Sequence, residues 1–104
     1  AQAYLDDELY TKAIEKANRD QRIEKKLGEI QPIDKMAILN GEVRYSDDNQ
    51  SVISTIKIKG EKANGKLDLR AHRKEEKWKY DQLNIRILNP NGNNETLKII
   101  ASEK

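Results

Sequence analysis

The residues able to do chemistry are few, and their spacing does not bring them together. His72 is the single histidine, between Ala71 and Arg73, on the alternating parity that also carries Asp68 and Arg70. Acid–base or metal chemistry needs partners, and a chain with no Cys and no second His offers none of the usual ones. The adjacent carboxylates Asp47-Asp48 and Glu75-Glu76 fall in turn-forming stretches, whereas catalytic acid pairs converge from separate elements. Asp47-Asp48-Asn49 is also too short for a calcium loop. Ser46, Ser51, Ser54 and Ser102 lack a G-x-S-x-G context, and the glycines form neither G-x-G-x-x-G nor a P-loop. The expectation is a non-enzyme with no catalytic, cofactor or metal residues. What remains is a set of outward-pointing cations on two successive strands, Lys57, Lys59, Arg70 and His72, which forms the candidate partner-binding sheet face.

The elements that must position them come from a chain of 104 residues, 36% apolar and 37% charged. That length buries roughly two thirds of its unfolded surface in one domain, 1–104. The low apolar share calls for a thin core, one sheet layered with helix on one face. Twenty Lys and Arg against 18 Asp and Glu leave a net charge of +2, with the signs interleaved, so no nucleic-acid partner is expected. No apolar run approaches the ~20 residues of a membrane helix. Because the sequence starts at Ala1 inside a helical pattern, it is read as missing its natural N-terminus, whether a signal peptide or a membrane anchor.

Tyr4–Ala17 is helical by periodicity: Leu5, Leu9, Ala13 and Ala17 recur every four residues, and Tyr10 and Ile14 widen the stripe. Asn18 and Asp20 offer caps for a shorter helix, Gln21–Leu27, which Gly28 ends. Pro32 marks a connector. In Met36–Ser46, Asn40-Gly41 signals a hairpin, yet Ala37, Leu39, Val43 and Tyr45 share one parity, which suits a single strand kinked at glycine. A strand over 41–46 after a less regular approach is the favoured reading.

From Gln50 to Leu88 the pattern is a three-stranded meander. Ser51–Lys59 turns Val52, Ile56 and Ile58 inward; Gly60–Gly65 is a turn; Lys66–Arg73 turns Leu67, Leu69 and Ala71 inward. Lys74–Lys77 is a charged turn before the strand Trp78–Leu88. There Trp78 and Tyr80 are even-numbered, while Leu83, Ile85 and Ile87 are odd. Either a β-bulge near Asp81-Gln82 restores one inward face, or the aromatics occupy the opposite face. Asn89–Asn94 is a polar loop, and Leu97–Ala101 an edge strand with Leu97 and Ile99 on one face. The fold class is α+β: an N-terminal amphipathic helix and a short second helix (4–27) on an antiparallel sheet of four to five strands (36–101).

Four pieces in order carry a resemblance: a leading amphipathic helix followed by a short helix closed by Leu-Gly, Arg22-Ile23-Glu24-Lys25-Lys26-Leu27-Gly28; a strand begun at Gly41; I-x-I-x-G-x-K-x-x-G from Ile56 to Gly65; and K-W-x-Y-x-x-L-x-I from Lys77 to Ile85. Over Tyr4–Leu88 the chain resembles the cytochrome oxidase complex assembly protein family and the related inner-membrane presequence translocase subunit. The Asn-rich loop and the Leu97 strand lie outside that pattern.

The resemblance implies a non-enzymatic, membrane-tethered, extracytoplasmic (periplasmic or intermembrane-space) protein-interaction domain. Its partners would be protein, such as membrane-complex subunits, and its only membrane contact a missing N-terminal anchor. No cofactor is implied. The alternative is a small-ligand-binding module with a pocket between helix and sheet, lined by Trp78, Tyr80 and Tyr10.

Overall fold

A computed structural model describes residues 7–89, 92 and 94–100. Helix α1, Asp7–Asn18, places Leu9, Tyr10, Ala13, Ile14 and Ala17 on one side, and all are buried. This is the predicted stripe; Leu5 and the start of that reading lie outside the described residues. Helix α2, Gln21–Lys26, begins where Asp20 accepts the Arg22 backbone N–H at 2.9 Å, and buries Ile23. Gly28, at φ 73°, supplies the left-handed turn that releases the chain after Leu27.

The next segment corrects the expectation. Lys35–Asn40 is a third helix, α3, not an irregular approach to a strand. Asp34 caps it by accepting the Ala37 N–H at 2.9 Å. Met36, Ala37, Ile38 and Leu39 then bury Ile38 alone while Met36 and Leu39 stay exposed, a helical pattern rather than an alternating one. Asn40-Gly41 is no hairpin: Gly41 is the extended C-cap residue that hands the chain to β1.

Five antiparallel strands follow as a meander in the order β1-β2-β3-β4-β5: β1 Glu42–Tyr45, β2 Ser51–Lys59, β3 Asn64–Lys74, β4 Lys77–Ile87 and β5 Glu95–Ile100. Val52, Ile56, Ile58, Leu67, Leu69, Ala71, Leu83, Ile85 and Ile87, predicted inward on β2 to β4, are all buried beneath the helices, each Leu or Ile contributing roughly 1.5–3 kcal/mol, and Trp78 and Tyr80 are partly buried against them.

The predicted bulge is present. Arg70 faces Gln82 and Ala71 faces Tyr80, so Asp81 is the extra residue, and Tyr80 shares the inward face with Leu83. Tyr80 reaches α1, donating its hydroxyl proton to the Leu9 carbonyl.

A second irregularity escaped the reading of β5. Asn84 faces Lys98 but Leu83 faces Ile100, so Ile99 is itself a bulge residue. Leu97 therefore shares the inward face with Ile100 and not with Ile99. Ala101 lies outside the described residues.

Two parts of the chain that are distant in sequence lock together at one end of the sheet. Ile30 bridges Gly60, Lys62 N–H donates to the Leu27 carbonyl at 2.7 Å, and Glu61 N–H to the Glu29 carbonyl at 3.1 Å. The Glu61 carboxylate returns to the Glu29 N–H at 2.9 Å. A Cβ on Gly60 would collide with the Leu27 carbonyl oxygen. The segment closing α2 and the turn between β2 and β3 are thus the two sides of one backbone contact.

Candidate functional site

With the helices on one side, the other side of the sheet carries no layer among the described residues. Alternation puts Arg44 of β1, Lys57 and Lys59 of β2, Lys66 and Arg70 of β3, Lys79 and Arg86 of β4 and Lys98 of β5 on this outer face. The acids along these strands on the same face are Glu42, Asp68 and the bulge residue Asp81. Two of these are engaged locally. Asp68 receives Arg86 through Nε at 2.7 Å and Nη2 at 2.9 Å, and the Thr55 hydroxyl at 2.7 Å. Asp81 holds both carboxylate oxygens 2.9 Å from His72 Nδ1. A chain with a net charge of only +2 therefore has a strongly cationic sheet face, and most of the acids among the described residues lie on the helices and in the turns.

Lys57, Lys59, Arg70 and His72 do share this face, as predicted, but they form two groups. Arg70 sits opposite Ile53 and His72 opposite Ser51, at the β1 end of β2. Lys57 and Lys59 lie at the other end and line a cleft of about 470 Å³ with Gln31, Pro32, Ile33, Asp34, Ala37 and Asn40.

The cleft exists because β1 is short. Its pairing with β2 ends at Glu42–Thr55, and the chain then leaves the edge at Gly41, pressed so closely that a Cβ there would lie 2.6 Å from the Thr55 carbonyl oxygen. Ser51 and Lys59 carbonyls accept from Ser46 and Gln31 on that edge, so alternate residues between them present their backbone outward. Lys57 is the one beyond β1, and no described strand pairs with it there. Sequence reasoning named Lys57 and Lys59 for their charge and missed Gln31 and Asn40. The sign would have been the helix over Lys35–Asn40, which takes the chain off the β2 edge.

The remaining candidates resolve into structural roles. Asp48 accepts the Ser46 hydroxyl at 2.6 Å and the Gln50 N–H at 3.0 Å, and the Ser46 hydroxyl in particular holds its carboxyl below the usual range. Glu75 and Glu76, at φ 53° and 65°, are the two central residues of the β3–β4 hairpin turn. Among the described residues, no group of three or more His, Asp or Glu could hold a metal ion.

The aromatics expected to line a ligand pocket are used in different places. Tyr10 hydrogen-bonds Ser54 at 2.9 Å, and Ser54 donates to the Glu42 carbonyl. Tyr80 is fastened to α1, and burial pushes its phenol well above the usual range. Trp78 lies under the Arg73 guanidinium, 4.1 Å from its ring centre, with Tyr45 at 6.2 Å. A second cleft, of about 360 Å³, meets Tyr10 at its rim but neither Trp78 nor Tyr80.

Fold and site together define a small α+β domain: a one-sided antiparallel meander with an open cationic face and one interrupted edge. The family model for cytochrome oxidase complex assembly protein 1 matches residues 2–100, and the chain belongs to that family. The match extends past Leu88 and takes in β5, which the resemblance drawn from motifs had left out. No curated protein and no solved structure matches the chain.

Proposed function

We propose that the chain is the extracytoplasmic domain of a membrane-tethered, non-enzymatic assembly factor for cytochrome oxidase, acting by docking a protein partner along the open edge of β2. Family membership supports the assembly role. The observation that carries the docking mode is the interrupted edge: Lys57 presents its backbone groups to a cleft beside a sheet that β1 has stopped covering. An extended segment entering there would gain main-chain hydrogen bonds as an added strand, and the exposed ammonium groups of Lys57 and Lys59 would orient it. Residues 1–104 act as one domain in this reading.

The test is complementation of cells lacking the gene, reading assembled cytochrome oxidase by its haem absorbance. Lys57→Pro removes the outward N–H without touching a β2–β3 bond, because that N–H points away from β3. Lys57→Gln removes only the charge. The expected result is failure of Lys57→Pro and at least partial rescue by Lys57→Gln, with both proteins folded. Full rescue by Lys57→Pro overturns the edge as the docking site. Protease protection of the domain in intact membranes checks its side, and an apolar run of ~20 residues before it in the reading frame checks the tether.

A further inference from the structure

We propose that the outer sheet face lies against an anionic lipid bilayer, holding the domain with its helices turned away from the membrane. The proposal is independent of whether the β2 edge takes a partner. It starts from charge segregation: every strand adds a cation to this face, and Asp68 and Asp81 are engaged with Arg86 and His72. Each Lys or Arg near an anionic surface strengthens binding by about fivefold, and the effects accumulate over a flat face.

The side-chain types decide between kinds of partner. Single-stranded nucleic acid is bound on sheets by exposed aromatic rings. Here Tyr45, Trp78 and Tyr80 all have the inward parity, so among the described residues the outer face has no Trp, Tyr or Phe, and its one imidazole, His72, is engaged with Asp81. Protein interfaces concentrate aromatics and Arg at their centre and are poor in Lys. This face is richer in Lys than in Arg, with Lys57, Lys59, Lys79 and Lys98 all exposed. Long aliphatic stems with mobile ammonium heads suit a fluid layer of phosphate headgroups, which needs no fixed geometry. Ile53, 46% exposed on the same face, is placed to enter the headgroup layer.

The experiment is co-sedimentation of the 104-residue chain with vesicles of phosphatidylcholine alone or mixed with phosphatidylglycerol. Two charge-matched variants are compared, K57E/K59E/K66E/R70E on the sheet and K12E/R19E/K25E/K35E on the helical side, their folding checked by near-ultraviolet circular dichroism. The expected result is salt-sensitive binding to the anionic vesicles only, lost at least about 100-fold in the sheet variant and largely retained in the helical one. Equal loss in both variants would mean that net charge alone acts, and overturns the proposal. So does absence of vesicle binding by the unaltered chain, or retention on immobilised polyglutamate or single-stranded RNA without retention on vesicles.

Should the sheet variant fail to fold, the unaltered chain supplies the answer by NMR. A paramagnetic headgroup lipid should broaden the Ile53 methyl signals and spare that of Thr11 on α1. The reverse pattern sinks the idea.

Discussion

Asp81 is the extra residue of the bulge in β4, and its carboxylate lies 2.9 Å from Nδ1 of His72 on the neighbouring strand. One residue thus changes the face of β4 and meets the lone histidine. The two functions have different weights. The pair is about 40% exposed on both sides, so it is worth roughly 0–1 kcal/mol. The spacing is worth far more, because without it Trp78 and Tyr80 would turn to the outer face. Asp81→Ala is expected to cost less than about 1 kcal/mol in urea denaturation, and deletion of Asp81 about 4 kcal/mol or more. Similar costs for the two would show that the bulge does not set the register.

Gly60 provides a separate check on the contact between the α2 end and the β2–β3 turn. A methyl group there meets the Leu27 carbonyl oxygen and, at 2.9 Å, the Ala63 carbonyl oxygen, both backbone atoms that cannot rotate away. Gly60→Ala should lower stability by about 3 kcal/mol or more, measured by thermal melting with denaturant titration. A loss under about 1 kcal/mol would mean that the two segments separate easily.

The β3–β4 hairpin leaves stability unused. Glu75 and Glu76 both adopt left-handed backbone, at φ 53° and 65°, in a two-residue loop that favours an asparagine followed by a glycine. The double substitution Glu75→Asn with Glu76→Gly is expected to raise stability by about 1 kcal/mol without altering the strand register. An unchanged or lower denaturation midpoint would show that the glutamates make compensating interactions.

Tyr80 links folding to alkaline pH. Burial raises its phenol above the usual value, so the protonated form is favoured in the folded state. Its contribution is complete below the unfolded pKa of about 10 and declines as pH rises from there toward the higher folded value. Tyr80→Phe, which loses the hydrogen bond to the Leu9 carbonyl, should cost about 1 kcal/mol at neutral pH. The gap between the two proteins should then narrow above pH ~10. A gap that stays constant to alkaline unfolding contradicts this linkage.

Much of the architecture was legible because it rests on short-range patterning. The α1 stripe from Leu9 to Ala17, the inward residues of β2 and β3, and the parity change between Tyr80 and Leu83 all follow from which residues are apolar and how far apart they lie. A strand buried on one side must alternate, so a break in alternation reveals a bulge without any knowledge of its neighbours.

What the residues alone did not reveal depends on partners distant in the chain. Lys35–Asn40 has too few residues for periodicity to separate helix from strand, and the Asp34 cap and the burial of Ile38 decide it. The bulge at Ile99 is visible only once β5 is registered on β4. The family motifs contained Leu27-Gly28 and Gly60 as separate signals; folding shows them to be one contact. The charges near Lys57 and Arg70 were likewise evident as a list of residues, in a chain whose net charge is close to neutral. Only the strand pairing, which gathers cations on one sheet face and leaves most of the described acids to helices and turns, makes them a surface.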